Sequence, residues 1–362
     1  MTSLAEIVSG LRAEPLWATS SAARELFHSD MVQWLADNEP EAFAYVFDLD
    51  AAGEYECHRE RGHLDLWIEA HHGGTSIVIE NKLFSLPRED QLDQYSRQIA
   101  ARPAMADCEQ RLLSLTEPNW IDGRYGDWSW MSYRAFGQRL VECFQGRSDF
   151  AGQFAWHWGQ LCLLLHDIAR SVAIANESEP YELDSERARI LDTRLLAFAA
   201  TLRAYQLADR IRMVLNDPRA EVAASFTHSK ALVEAFSRVR PGLELGWQCQ
   251  EGQWRLAART GENSTYEGRP CWGRSAAHAE DRTSWVQTVF PDHFRFEELG
   301  EVGIDSQLAK TERLFQHFAP NFTYQYRKVG AASVGQLVAA GAATSRRILR
   351  SAAPSADDGR GR

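Results

Sequence analysis

The chain has 362 residues, of which 44% are hydrophobic, and a formal net charge of −11. This length allows one large or two ordinary domains, each with its own core. The acidic charge argues against binding of nucleic acid over the whole surface, because affinity for phosphates comes mainly from Lys and Arg. An acidic chain of this kind could bind nucleic acid only through a local basic groove. The candidate residues for such a groove are Arg59, Arg61, Lys82, Arg88 and Arg97.

Membrane insertion and secretion are not expected. No apolar run reaches the roughly 20 residues that a membrane-spanning helix needs, and the first six residues show no basic segment followed by an apolar one. The six cysteines are scattered without CxxC spacing, which predicts reduced, mostly buried thiols. We therefore expect a cytoplasmic protein without a membrane partner.

The N-terminal region predicts helices and then a strand. Ser20 and Ser21 offer an N-cap for a helix over about residues 22–37, in which apolar residues recur at helical spacing. Glu25, His28 and Ser29 lie on this helix, where the simplest role of Glu25 is that of a first-turn acid favoured by the helix dipole. Residues 55–60 then predict a strand that leads into a hairpin.

Residues 62–82 predict a β-hairpin that brings charged side chains together. Two β-branched, apolar stretches flank residues 71–74, whose Gly73 and Gly74 allow a tight connection. If the hairpin closes symmetrically, Asp65 faces Glu80 and His63 faces Lys82, with all four side chains on one face. A register slip of one residue would instead send the carboxylates to opposite faces.

Two carboxylates placed opposite each other repel, so a cation is expected between them. A hard divalent metal with oxygen ligands suits this position, with Lys82 beside it as a further positive group. The simpler alternative is a surface ion pair between Asp65 and Lys82, with Glu80 as an ordinary charge at a strand end.

The region after the hairpin predicts an α/β arrangement. Pro87 favours a helix start, and Gln91 and Tyr95 share one face of that helix. Residues 111–116 and 128–133 predict strands, and residues 134–144 predict a helix. This alternation favours a mixed sheet with a parallel part.

The remainder predicts helices and then a second module. Long helical patterns occupy residues 150–175 and 182–215, and the character of the sequence changes near residue 217. A helix is predicted at residues 229–238, strands at 243–248, 254–259, 284–290 and 322–327, and helices at 306–318 and 331–350. Four tryptophans here favour an aromatic core over a base-stacking surface; they are Trp247, Trp254, Trp272 and Trp285.

These patterns resemble the PD-(D/E)XK nuclease superfamily, over about residues 20–170. The Asp of its motif falls on Asp65, and its ExK tripeptide falls on Glu80-Asn81-Lys82. The "Qx3Y" helix of some members corresponds to Gln91 and Tyr95, and an "E..HS" helix corresponds to Glu25 with His28 and Ser29. Leu64 stands where the name-giving Pro would be.

The resemblance implies a restriction-endonuclease-like mixed β-sheet core flanked by helices, followed by a C-terminal α+β module. The implied domains are a core at 1–175, a helical extension at 176–217, an α+β domain at 218–345 and a disordered tail at 346–362. It also implies a metal-dependent deoxyribonuclease, with a use in defence against foreign DNA. A second copy of the chain or another protein could bind through the C-terminal domain.

The resemblance assigns roles to individual residues. Glu25, Asp65, Glu80 and the carbonyl of Asn81 would hold one or two Mg²⁺ or Mn²⁺ ions. Lys82 would orient or help to deprotonate the attacking water, and Gln91 and Tyr95 would position the water or the DNA backbone. The alternative is a nuclease-like binding or sensor module that is inactive or needs a partner.

Overall fold

The structure is a computed structural model. It describes residues 2–23, 25–50, 53–59, 64–72, 74–84, 89–116, 126–217, 219–227, 230–240, 243–250, 252–260, 263–266, 269–272, 310–312, 322–328 and 332–352. The chain divides into two compact units, of which the first comprises Met1–Val172 with Arg189–Asp192 and the second Ala173–Ala188 with Thr193–Arg362. Most of the stretch at 176–217 therefore groups with the second unit.

The first unit begins with four helices. These are α1 (Leu4–Ala13), α2 (Trp17–Ala23), α3 (Glu25–Asn38) and α4 (Pro40–Phe47). Ser3 caps α1 in a capping box with Glu6, and Pro40 occupies the first turn of α4. The expected N-cap at Ser20 is wrong, because Ser20 lies within α2, is buried, and its hydroxyl is hydrogen-bonded to Nε2 of His28 at 3.0 Å.

A mixed five-stranded sheet follows, in the order β1-β2-β3-β4-β5. Its strands are β1 (Glu54–Arg59), β2 (Leu66–His72), β3 (Ile77–Lys82), β4 (Glu109–Ser114) and β5 (Trp128–Ser132), with α5 (Glu89–Ala100) between β3 and β4. The strands β1, β2 and β3 pair antiparallel, whereas β3, β4 and β5 pair parallel. The predicted mixed sheet is therefore confirmed.

The predicted hairpin register is confirmed. Leu66 pairs with Ile79, Trp67 with Val78 and Ile68 with Ile77. Continued by one residue, this register places Asp65 opposite Glu80. Gly74 in the connection has a φ of 83°, a conformation that glycine adopts without strain. His63, expected opposite Lys82, lies outside the described residues.

Helices cover the sheet of the first unit. On the α5 side, Leu92 and Ile99 of the helix pack with Trp67, Val78 and Leu112 of the sheet. The helices α6 (Tyr133–Phe144) and α7 (Phe150–Val172) complete the unit and pack against each other. Their backbones approach closely at Gly137 and Gly159, where an added Cβ would lie 2.8 Å and 2.9 Å from a carbonyl oxygen of the other helix.

The second unit contains α9 (Thr193–Leu215), α10 (Val334–Ala352) and a six-stranded antiparallel sheet, with α8 (Ser185–Ile190) preceding α9. The sheet order is β12-β13-β9-β8-β7-β6, and β10 pairs with β11 separately. The strands are β6 (Glu221–Thr227), β7 (Lys230–Arg240), β8 (Leu243–Gln250), β9 (Gln253–Thr260), β10 (Asn263–Tyr266), β11 (Arg269–Trp272), β12 (Lys310–Glu312) and β13 (Phe322–Lys328).

Three predictions for this unit need correction. The helix expected at 229–238 is wrong, because those residues belong to β7, which pairs with both β6 and β8. Lys310–Glu312, within the helix expected at 306–318, form β12. Residues 346–352, assigned to a disordered tail, belong to α10, whereas residues 353–362 and the strand expected at 284–290 lie outside the described residues.

The aromatic core of the second unit is confirmed for two tryptophans. Trp247 and Trp254 are fully buried and stack with ring centroids 4.5 Å apart, and the indole of Trp247 donates to Ser345 Oγ at 2.8 Å. The side chain of Trp272 and all of Trp285 lie outside the described residues.

Candidate metal and active site

The candidate site lies where the β2–β3 ladder ends. Leu66 and Ile79 form the last residue pair of the ladder at this end. One step further, Asp65 Oδ2 accepts the backbone N–H of Asn81 at 2.8 Å. The Asp65 side chain thus takes a hydrogen bond from β3 at a position where the backbone pairing has ended. This bond fixes Asp65 relative to the Glu80-Asn81-Lys82 tripeptide.

Glu80 is the most deeply buried carboxylate of the site, with a side chain 1% exposed. Its Oε1 contacts Lys82 Nζ at 2.6 Å. Burial raises the pKa of Glu80 to about 7; the nearby Asp65 carboxylate also raises this pKa, whereas Lys82 lowers it. The positive charge of Lys82 is therefore not enough to offset the burial of Glu80 and its repulsion by Asp65.

Lys82 is an ammonium in this arrangement. Burial lowers the pKa of Lys82, but the charges of Glu80 and Asp65 outweigh burial, so that its pKa is raised. The structure therefore supports a charged Lys82 that holds Glu80, and we expect the same charge to attract a phosphate group.

Gln91 and Tyr95 share one face of α5, as their spacing predicts, and this face lies beside Glu80. Gln91 Nε2 donates to Glu80 Oε1 at 3.3 Å and to the Tyr95 hydroxyl at 2.8 Å. Burial raises the pKa of Tyr95, so its hydroxyl keeps its proton at neutral pH. Because this hydroxyl accepts a hydrogen bond from Gln91, its own proton remains available for another acceptor.

The residues present fit a divalent cation. Glu80 Oε2 is buried and receives no hydrogen bond from any described residue, and Asp65 is close enough to Glu80 to hydrogen-bond when one carboxyl is protonated. A hard cation would replace that proton and bind both carboxylates. No cluster of three or more Asp, Glu, His or Cys side chains that could hold a metal occurs within the described ranges.

Glu25, the expected third carboxylate, is the first residue of α3, and its side chain lies outside the described residues. The backbone carbonyl of Asn81 has the right chemistry for a ligand, but its side chain does not serve the site. Successive residues of a strand point to opposite faces, so Asn81 points away from Glu80 and Lys82.

The Asn81 side chain makes a buried hydrogen-bond network on the other face of the sheet. The Tyr133 hydroxyl donates to Asn81 Oδ1 at 2.5 Å, and Asn81 Nδ2 donates to Ser29 Oγ at 3.2 Å. All three side chains are nearly inaccessible to solvent. Ser29 therefore connects α3, the helix that begins with Glu25, directly to the tripeptide.

His28 supports the same helix. Its Nδ1 accepts the indole N–H of Trp158 at 3.1 Å, and its Nε2 is 3.0 Å from Ser20 Oγ. Because an indole nitrogen can only donate, the neutral imidazole carries its proton on Nε2 and donates to Ser20. The role of Tyr133 and these contacts of His28 and Ser29 were not predicted from the sequence. The available signal was Asn81, a polar residue within a buried strand, because a buried polar side chain needs hydrogen-bond partners.

The basic groove expected in the first unit is not assembled by the described residues. Arg59 forms an ion pair with Asp30, and Arg97 donates to the carbonyl of Asp93 in its own helix. Arg61 and Arg88 lie outside the described residues. Lys82 is the member of the predicted groove that lies in the site.

Residues 44–133 match the family model of the PD-(D/E)XK nuclease superfamily. The matched range contains all five strands of the first sheet together with α5, and it includes Asp65, Glu80, Lys82, Gln91 and Tyr95. Comparisons with curated proteins and with solved structures found no match. The resemblance to this superfamily is therefore confirmed, and the five-stranded sheet with its helices is the restriction-endonuclease-like core that it implies.

The match suggests nuclease activity and a nucleic acid substrate. Glu25 precedes the matched range, so the match does not support Glu25 as a metal ligand. That expectation is based on the position of Glu25 at the start of α3. None of the helices in the described parts of the chain combines the length and hydropathy that a membrane span requires.

Proposed function

We propose that the chain is a metal-dependent deoxyribonuclease that hydrolyses phosphodiester bonds. The observation that carries this proposal is the buried Glu80, held beside Asp65 and Lys82 with one carboxylate oxygen that receives no hydrogen bond from the described residues. Burying such a group is costly unless it binds something positive. A purely structural hairpin has no need of this arrangement.

Asp65, Glu80 and the carbonyl of Asn81 would hold Mg²⁺ or Mn²⁺, and Glu25 would be a further ligand. The bound ion would acidify a water molecule and offset the charge that develops on the phosphate. In the reaction, a water oxygen bonds to phosphorus, the bond from phosphorus to one ester oxygen breaks, and that oxygen takes a proton.

The other residues of the site orient the reactants. Lys82, as an ammonium, would hold Glu80 and attract the phosphate. The Tyr95 hydroxyl would donate its proton to a backbone oxygen of the substrate, in an orientation set by its hydrogen bond from Gln91. Such preorganised donors and charges account for a large part of catalysis at phosphate centres.

The proposal extends to cellular context. Within the described residues, Cys57, Cys108, Cys143, Cys162 and Cys249 are free thiols. Such thiols suit the reducing cytoplasm. A use in defence against foreign DNA is suggested by the superfamily alone.

The test is cleavage of plasmid and of single-stranded DNA in Mg²⁺ or Mn²⁺ by the full chain. We expect Asp65→Asn and Lys82→Ala each to reduce the cleavage rate by at least about 100-fold, because each removes a group that acts at the reacting phosphate. Asp93→Asn is the control, because this exposed carboxylate lies on α5, the helix that carries Gln91 and Tyr95, but is not assigned to the site. It should leave the rate unchanged.

Two outcomes would contradict the proposal. Cleavage that survives both substitutions would show that the activity does not come from this site. A chain that binds Mn²⁺ through Asp65 but cleaves neither DNA nor RNA would favour the alternative, a binding or sensor module that is inactive or needs a partner.

A further inference from the structure

The C-terminal half of α10 carries three arginines within about two helical turns, namely Arg346, Arg347 and Arg350. Arg346 and Arg350 are exposed, and as residues four apart they share one face of the helix. Arg346 Nη2 donates to the backbone carbonyl of Val214, an uncharged acceptor, at 2.6 Å. Within the described residues, neither Arg347 nor Arg350 has an ion-pair partner.

Two other arginines of the same unit are paired with carboxylates. Arg187 contacts Asp184 at 3.4 Å, and Arg212 contacts Asp209 at 2.8 Å. In a chain with a net charge of −11, carboxylates are abundant enough to pair with most arginines. Among the described residues, Arg346 and Arg350 contact no carboxylate, so the positive charge on this face of α10 is not offset there.

The exposed arginines of α10 line a cleft of about 310 Å³ together with Leu349, Asp217 and Arg219. Arg219 donates three hydrogen bonds to Asp217, two from its guanidinium at 2.9 Å and 2.6 Å and one from its backbone N–H at 3.0 Å. These bonds lower the pKa of Asp217 to about 2, so it is ionised at neutral pH. Three guanidinium groups thus share the cleft with one carboxylate, which leaves an excess of positive charge.

The helix dipole explains part of this arrangement. Cations near the C-terminus of a helix are stabilised by its partial negative charge, which accounts for Arg350. It does not account for Arg346, whose guanidinium bonds to the last turn of α9 instead. Two like charges four residues apart also repel, so an anion between them would relieve a cost.

We propose that this arginine cleft binds phosphate groups of a nucleic acid backbone. Guanidinium groups match phosphate oxygens in geometry and charge, and two arginines on one helix face can contact successive phosphates. The inference rests on the proposed function for the identity of the ligand, because the nuclease core of the first unit requires a nucleic acid substrate. It gives the second unit a role in substrate retention.

The experiment measures binding of the full chain to a fluorescein-labelled DNA duplex in EDTA, where no cleavage occurs, at salt concentrations from about 50 to 200 mM. The variant is Arg346→Gln/Arg350→Gln. The control, Arg187→Gln/Arg212→Gln, removes the same charge from arginines of the same unit that are paired with carboxylates. The second readout is cleavage of the same duplex at saturating concentration.

We expect the α10 variant to bind roughly tenfold more weakly than the control and to lower the slope of log K against log salt by about 2, one per lost phosphate contact. The maximal cleavage rate should stay the same, because the substitutions lie outside the catalytic site. If the cleft binds DNA but no cleavage occurs in any condition, the cleft is supported and the nuclease proposal fails.

A different result would overturn the cleft proposal alone. In that case the wild type cleaves DNA, but the α10 variant and the control bind the duplex with equal affinity and equal salt slope.

Discussion

Asn81 connects the two faces of the first sheet. Its backbone N–H holds Asp65 on the site face, and its side chain is held by Ser29 and Tyr133 on the other face. A strand that is hydrogen-bonded on both sides can shift little, so the position of the carboxylates depends on residues that never touch the substrate. This dependence can be tested with a single hydroxyl group.

Tyr133→Phe removes the hydroxyl that donates to Asn81 Oδ1 while it keeps the buried ring. We expect the free energy of unfolding to fall by about 1–3 kcal/mol, because a buried hydrogen bond to Asn81 is lost. The cleavage rate should fall as well, since Asn81 also orients Asp65. Chemical denaturation and the DNA cleavage assay measure the two effects.

The control for this substitution is Tyr45→Phe. Tyr45 is half exposed, and its hydroxyl donates to Glu142 at the surface, so the expected cost is below about 0.5 kcal/mol. Equal stability of the two variants would show that the bond between Tyr133 and Asn81 is dispensable.

His28 makes stability depend on pH. Complete burial lowers its pKa to about 3, from about 6.5 in the unfolded chain. Between these values the unfolded state binds a proton that the folded state does not, so stability falls as the pH is lowered through this range. We expect this term to cost about 1.4 kcal/mol per pH unit below 6.5.

The measurement compares urea denaturation of the wild type and His28→Asn from pH 7 to pH 5. The comparison is needed because burial raises the pKa of Glu80 to about 7 and that of Asp209 to about 6. Protonation of these two carboxylates stabilises the folded state as the pH falls, which opposes the effect of His28. The difference between the two proteins isolates His28 and should shrink by about 2 kcal/mol over this range. Parallel curves would show that His28 is not held neutral.

At the scale of elements, the crossing of α6 and α7 depends on two facing glycines. Gly137→Ala would place a methyl group 2.8 Å from the carbonyl oxygen of Gly159 and 2.9 Å from Cβ of Cys162. The helices would have to separate, and we expect a loss of about 1–3 kcal/mol in thermal or chemical denaturation.

A matched substitution at another helical glycine separates packing from helix propensity. In Gly10→Ala the Leu164 Cδ2 atom, at 3.3 Å, would be the contact of the new methyl group among the described residues outside its own helix. That flexible side chain can move, so the higher helix propensity of Ala should keep stability equal or raise it. Destabilisation of similar size in both variants would argue against a special contact at Gly137.

The elements that were predicted correctly are those with strong local sequence signals. The hairpin at residues 62–82 combines β-branched runs with a glycine turn, and its register was predictable because a slip would expose its buried face. By contrast, β7 is largely buried and has apolar residues on both sides of the strand. It therefore lacks the alternation that separates a strand from a helix in sequence.

At the scale of the whole molecule, the composition gives no indication of the proposed nuclease function. The net charge of −11 is a sum over both units. It does not reveal the charged Lys82 in the first unit or the arginine cleft in the second. The order of the residues around the carboxylates, unlike their number, indicated the site. Neither the ion pair between Arg59 and Asp30 nor the lack of carboxylate partners for the α10 arginines among the described residues has a signature in local sequence, because each depends on contacts between distant segments.

The site itself was predictable in part. Spacing alone placed Gln91 and Tyr95 on one face of a helix, but only the fold shows that this face meets Glu80. The support from Ser29 and Tyr133 could not be read from the sequence, because these residues are far apart along the chain and meet only after the helices pack on the sheet.

The two-sided bonding of Asn81 also bears on how sequences related to this chain should vary. The middle position of an ExK tripeptide is written as any residue, yet here it is buried at 1% exposure and hydrogen-bonded to two other elements. An apolar residue at position 81 would remove the hydrogen bonds that the Asn81 side chain makes to Ser29 and Tyr133. We therefore expect substitutions at positions 29, 81 and 133 to occur together during evolution, as a unit that is inherited or replaced as a whole.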